Sequence, residues 1–354
     1  MKKVAIITIW DLWNLGNRLQ NYAVTLIANK KGLSPITVVR EKPIRDGLFE
    51  YIKYVIYGSL FLFTRGTNKK SRSWLRVRQF IQFTKKYIPY KRISDYKDLN
   101  NYDYVMIGSD QIWNAEIVEP NEFVYGQVED KDKIICMAPS FGVSGFNASV
   151  EQTIGKYINN IKYINVREHA GANIIKRVSG IEAPVFVDPT LMLSSEEWEK
   201  LEKRPFGLKK GKYILKYFLG EETEECKKET RILTEKYGFE VIKLLDIGNP
   251  FAYIVGPGQF LYLIHHAEII LTDSFHACVF SALFKKSFWV YSRVGERMNS
   301  RLDTLFDLLQ VDNRFEHDIE NPYKIDYSRL DINLECERKK FENFIDKAII
   351  RGDL

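Results

Sequence analysis

Cysteine is scarce in this chain of 354 residues: Cys136, Cys226, Cys278 and Cys336 are the four, and none forms a C-x-x-C pair. That spacing argues against a structural zinc site and a secreted disulfide framework, and it fits a reducing compartment, the cytoplasm. No helix-turn-helix, zinc-finger or RNA-binding signature is present. Lys and Arg exceed Asp and Glu only by 52 to 46, which suits small anions and membrane surfaces better than a nucleic-acid duplex. Long apolar runs are also missing, since a transmembrane helix takes roughly 20 such residues. The start Met1-Lys2-Lys3, followed by Val4 to Trp10, imitates a signal peptide, but Asp11 closes the run early and no small-residue cleavage site follows. It is expected to be a first buried strand.

What the chain has instead is alternation. Apolar β-rich runs at 4–9, 36–39, 104–107, 134–137, 163–166 and 185–187 are interleaved with helical-period segments at 17–29, 150–160 and 169–178. The same grammar restarts with strands at 213–218, 240–244, 268–272 and 287–291 and helices at 221–237, 258–266 and 274–284. Such alternation is the pattern of an α/β protein with parallel sheets covered by helices. At this length two domains are the default. The charged stretch 194–212, broken by Pro205, Gly207 and Gly211, separates them. We expect two Rossmann-like, doubly wound domains, 1–195 and 196–354. An amphipathic helix over 334–351 closes the chain. A helical, basic insertion over about 45–95 interrupts the first domain: an apolar-aromatic run, Leu48–Phe63, precedes Arg65, Lys69, Lys70, Arg72, Arg76 and Arg78. It reads either as a packed insertion or as an interfacial helix on anionic lipid.

Chemistry-bearing residues cluster just after strands. Asn14-Leu15-Gly16-Asn17 and Gln20 form a glycine-containing turn into a helix, where free N–H groups face the crevice; the amides of Asn14, Asn17 and Gln20 suit sugar hydroxyls, or simply cap the helix. Gly108-Ser109-Asp110-Gln111-Ile112-Trp113-Asn114 combines a carboxylate, amides and an indole, a sugar-recognition set or a turn with Trp113 in the core. Pro139 and Gly142 force an irregular turn in Ala138-Pro139-Ser140-Phe141-Gly142. Arg167, in Val166-Arg167-Glu168-His169, is an anion fork, or a salt bridge to Glu168 or Asp188. In Thr272-Asp273-Ser274-Phe275-His276 the histidine lies at a positive helix end among polar neighbours and can act as a general acid. Arg293 is a further anion contact, ranked above Arg301, with Arg297 between them. His265 and His266 show no carboxylate at metal spacing, and no metal site is expected.

Taken in order, Asn14–Asn17, Gly108–Asn114, Ser140–Gly142, Val166–Glu168, Asp188-Pro189-Thr190-Leu191 and Thr272–His276 resemble the polysaccharide pyruvyl transferase family. The resemblance implies a glycosyltransferase-B-like fold, phosphoenolpyruvate as co-substrate with no cofactor or metal, and a lipid- or nucleotide-linked sugar acceptor of a capsule, exopolysaccharide or cell-wall polymer. By that resemblance Arg167 matches the family's donor-binding arginine and His276 its essential histidine; the residues themselves add Asp110 as a third catalytic candidate, donor contacts from Thr272, Ser274 and Arg293, and acceptor contacts from Asn14, Gly16, Asn17, Gln20, Ser109, Asp110, Gln111 and Trp113. The chain departs from that pattern at Ser274, where family members often carry arginine. Alternative readings are a metal-independent nucleotide-sugar glycosyltransferase on the same scaffold and a non-catalytic saccharide-binding protein of a polymer-assembly complex. The expected location is the cytoplasm, with possible peripheral contact at the inner membrane face.

Overall fold

The computed structural model describes residues 1–40, 48–159, 161–293, 299–312 and 314–350. Five parallel strands form the first sheet: β1 (Lys3–Ile7), β2 (Ser34–Val39), β3 (Tyr90–Arg92), β4 (Tyr104–Ile107) and β5 (Ile134–Cys136), in the order β3-β2-β1-β4-β5. Helices α1 (Leu15–Lys30), α2 (Leu48–Phe63), α3 (Lys69–Tyr87), α4 (Ala148–Ile158) and α5 (His169–Ser179) belong to this half. A short helix, α6 (Ser195–Glu199), follows, held by a capping box between Ser194 and Glu197.

The second sheet has four parallel strands, β6 (Tyr213–Tyr217), β7 (Glu240–Lys243), β8 (Ile269–Thr272) and β9 (Ser287–Val290), in the order β7-β6-β8-β9. Its helices are α7 (Glu224–Tyr237), α8 (Pro250–Tyr253), α9 (Pro257–His265), α10 (Phe275–Leu283), α11 (Asn299–Leu309) and α12 (Leu330–Ile350). Strands β1, β4, β6, β8 and β9 are near-continuous apolar runs because helices cover both faces of each sheet. The molecule is thus built of two Rossmann-like doubly wound units, each a parallel sheet covered by helices. Their largest apolar cluster is continuous, from β1 and α1 through α9 and α10 to α12.

One expectation needs correction. Residues 163–166 and 185–187 make only single bridges, Ile135 to Tyr163 and Val166 to Val185. The Asn165 side chain takes the backbone's place there, accepting from Ala138 N at 2.8 Å and donating to Cys136 O at 2.7 Å. The basic insertion is a hairpin of α2 and α3 that ends in β3, an edge strand too short and polar to show a period. The terminal helix docks on the first half: Phe341 stacks on Phe186 at 4.8 Å, and Arg338 Nε donates to Leu191 O at 2.6 Å.

Among the described residues no helix is long and apolar enough to cross a membrane.

Candidate active site

At the carboxyl ends of the strands the chain must turn sharply, and the turns carry the polar residues. Asp110 after β4 and Ala138 after β5 both adopt positive φ, 67° and 55°, a conformation that non-glycine residues hold only when the surroundings impose it. Ser140 N donates to Asp110 O at 2.9 Å, tying the two turns together. Glu168, fully buried, accepts through Oε1 from Phe141 N, Gly142 N and Ser140 Oγ. One carboxylate oxygen therefore shapes the Ser140–Gly142 turn.

Asp188 is the hub. Its Oδ2 accepts from Arg167 Nη1 at 2.7 Å and from Ser109 Oγ at 2.9 Å, and its Oδ1 accepts from Thr190 N and Oγ1. Burial alone would raise this carboxyl, but Arg167, His276 and Thr190 overcome it and bring it down to about 2. His276 Nε2 lies 3.8 Å from the same Oδ2, beyond hydrogen-bond distance. Burial lowers the imidazole pKa below its ordinary value; Asp188 and Asp110 oppose the shift, and Arg167 and Arg301 add to it.

Both halves supply this cluster. Ser274 caps α10, so His276 stands in its first turn, against the first turn of α1. A Cβ at Gly16 would sit 2.1 Å from His276 Nδ1, so only glycine lets the two helix ends meet. On the other side, α11 packs on α5, and His169 N donates to Thr304 Oγ1. That contact buries Arg301, whose guanidinium is pushed down to about 10 by burial and by the charge of Arg167. Arg167 Nε and Nη2, Glu168 Oε2, His276 Nε2 and Arg301 Nε are all buried with no hydrogen-bond partner among the described residues. Unsatisfied cationic donors so placed are the chemistry of an anion site.

The remaining predicted residues divide. Asp110 accepts from Asn17 Nδ2 at 3.1 Å and belongs to the cluster. Asn14 caps α1, accepting from Asn17 N. Gln20 is buried and donates to Thr8 Oγ1 with its Oε1 left without a hydrogen bond, and Thr272 is buried and donates to Tyr217 O. Ser274 is occupied by capping and by its N–H bond to Thr272 Oγ1. Gln111 accepts from Asn114 beside Gly142. Trp113 is a core residue, 1% exposed and stacked on Tyr125, which corrects its reading as a sugar platform. Arg293 is half-buried and donates to Asp273 at 2.7 Å, while Arg301 lies deeper in the cluster, reversing their expected rank. Arg297 lies outside the described residues. Arg167, expected as anion fork or salt bridge, hydrogen-bonds Asp188 through Nη1 and lies 3.9 Å from Glu168 Oε2 through Nε, with Nε and Nη2 left without a hydrogen bond. Sequence reading missed Glu202, which meets His265 at 2.7 Å and His266 at 3.8 Å from the interdomain connection. The D-x-D spacing of metal-dependent sugar transferases does occur, at Asp130-Lys131-Asp132, but both carboxylates are exposed and Asp130 caps a short turn.

Beside the cluster, a cavity of about 490 Å³ opens at the ends of β1, β2 and β4, the point where strand order reverses. Thr8, Trp10, Arg40, Asn121 and Phe123 are among its walls. Tyr90 packs on the Trp10 ring at 5.2 Å, and the Arg18 guanidinium lies over it at 4.4 Å.

The family model for polysaccharide pyruvyl transferase matches residues 14–293, which include both halves of this cluster. The chain belongs to the polysaccharide pyruvyl transferase family. Within the family's matched span fall Arg167, Asp188 and His276, whereas Arg301 lies just beyond it. No curated protein matches the sequence. Similar solved structures include UDP-GlcNAc 2-epimerase from Neisseria meningitidis bound to UDP-GlcNAc, 13% identical over 98% of this chain and 100% of that one, with a TM-score of 0.46. The UDP-GlcNAc 2-epimerase of Methanocaldococcus jannaschii is 13% identical over 96% and 99%, at 0.42. The E. coli heptosyltransferase WaaC is 11% identical over 87% and 99%, at 0.35.

Proposed function

We propose that the cluster transfers the pyruvyl group of phosphoenolpyruvate to two hydroxyls of one sugar, forming a cyclic ketal. The observation that carries this is the set of buried, unpartnered donors on Arg167, Arg301 and His276. A carboxylate or phosphate between the two guanidinia satisfies them and offsets the mutual repulsion that adds to burial in depressing Arg301 and His276. Donor binding thereby raises the imidazole pKa, and the charged acid forms where it is needed.

Imidazolium at His276 gives its proton to the methylene carbon of the donor, and positive charge develops at the neighbouring carbon. One acceptor hydroxyl attacks that carbon and loses its proton to the neutral imidazole. The second hydroxyl closes the ring as phosphate leaves, its proton going with the phosphate. Asp188 holds Arg167 and faces His276; Asp110, positioned by Asn17, can orient the acceptor. The Trp10–Phe123 cavity supports a sugar reading, with apolar ring faces on aromatics and hydroxyls on Thr8 and Asn121.

The test is phosphate release from phosphoenolpyruvate with a library of free, nucleotide-linked and lipid-linked sugars, with mass spectrometry for a product heavier by pyruvate less water. His276→Gln should lower turnover by about 10²–10⁴. Turnover of a UDP-, GDP- or CMP-sugar with none of phosphoenolpyruvate would replace the proposal by glycosyl transfer.

A further inference from the structure

We propose that the outer face of α2 docks this protein on an anionic membrane surface, the helix lying in the plane of the interface. Positions 52, 55, 56, 62 and 63 fall on one side of the helix at i, i+3, i+4, i+10 and i+11. Ile52, Val55, Ile56, Leu62 and Phe63 hold them, and all are exposed, from 44% at Ile52 to 89% at Phe63. The opposite side is already used: Phe61 is buried against Phe251, and Tyr57 stacks on Trp74 of α3. The helix is therefore held in place by one apolar side while presenting a second to solvent. A soluble monomer rarely leaves such a stripe uncovered without a use for it.

Charge identifies the occupant. Between Tyr51 and Ser94 the chain has eleven Lys and Arg and no Asp or Glu; of its 52 bases this leaves 41 against 46 acids elsewhere. The whole positive excess thus resides in the α2–α3 hairpin and its return strand. Arg65, Lys69 and Lys70, all exposed, follow Phe63 directly at the hairpin turn. On the packed side Tyr54 and Trp74 meet Arg78, whose guanidinium lies 3.7 Å above the Tyr54 ring. A second copy of the chain would bring the same cations face to face across a two-fold axis, whereas anionic headgroups neutralise them. At 16 residues, about 24 Å long, α2 is too short to span a bilayer. The hairpin is also fixed to the rim of the cleft, since Arg76 of α3 donates to Trp13 O in the loop before α1. A docked protein would hold that rim near the bilayer, where a lipid-carried sugar is presented. The inference stands whether or not the pyruvyl reading does.

The test is flotation of the full chain with phosphatidylcholine vesicles, with and without phosphatidylglycerol. Binding is expected to the mixed vesicles alone, weakening as salt shortens the screening length. Lys69→Glu/Lys70→Glu should lower partitioning at least tenfold, each cation contributing roughly fivefold. Val55→Glu/Leu62→Glu should lower it at least as much at low salt. Thermal midpoints equal to the wild type's would show intact variants, and a Phe63→Trp variant should shift its emission to the blue on the mixed vesicles. Absence of wild-type flotation, flotation of both variants equal to the wild type's, or a wild-type dimer in sedimentation that Val55→Glu/Leu62→Glu dissolves would overturn the proposal.

Discussion

Arg167 hydrogen-bonds Asp188 along one edge of its guanidinium, while its Nε and Nη2 are buried without a hydrogen bond, the nearest carboxylate being Glu168 Oε2 at 3.9 Å. Asp188 is what makes that arrangement stable: its removal would strand a desolvated cation. Asp188→Asn should cost about 3–5 kcal/mol in urea unfolding, with the pyruvyl activity lost as well. The carboxyl's stabilising share is complete above its ordinary 3.8 and is lost as pH falls toward about 2. His276 acts in the same direction at higher pH. Burial keeps the folded imidazole below the unfolded value of 6.5, so just beneath that value the unfolded chain binds a proton that the folded chain does not. Stability therefore rises with pH through this window. The fall in thermal midpoint from about pH 7 to about pH 5 should be smaller in His276→Gln than in the wild type. Gly16 offers a steric test: Gly16→Ala pushes a methyl into the imidazole and should cost about 1–3 kcal/mol while displacing the proton donor. Unchanged phosphate release in that variant would show that His276 does not act from this position.

At the scale of elements, α1 and α10 matter through their first turns and α12 through its whole length. Phe341 is fully buried against Phe186, so Phe341→Ala should destabilise by about 3–5 kcal/mol in urea unfolding. Most strands were legible in sequence because fully covered parallel strands must be apolar throughout: β4 was placed to the residue, and β6, β8 and β9 to within one residue at each end. The 163–166 segment looked the same by composition, yet Asn165 takes its pairing with side-chain hydrogen bonds. The hairpin of α2 and α3 was read correctly as helical and basic. Whether its apolar run faced inward or outward could not be read, because α2 is apolar on both sides.

For the whole molecule, the question is how two sheets hold one site. Arg76 donates to Trp13 O of the first half and to Tyr253 O of the second, at 2.8 and 2.9 Å, and is buried between them. Arg76→Ala should leave those carbonyls unsatisfied, lower stability by about 1–3 kcal/mol, and reduce turnover by loosening the register of His276 over Asp188; calorimetry and phosphate release together check it. Sequence alone determined the two parallel sheets, the family, and which strand ends carry polar turns, since these follow from local periodicity and contiguous motifs. Tertiary structure alone decided that Trp113 is core, that Trp10 and Phe123 line the cavity, and that Arg301 is buried in the cluster while Arg293 pairs with Asp273. Those facts depend on which surfaces of distant segments meet, and the burial created there, not the neighbouring letters, sets each side chain's exposure and charge.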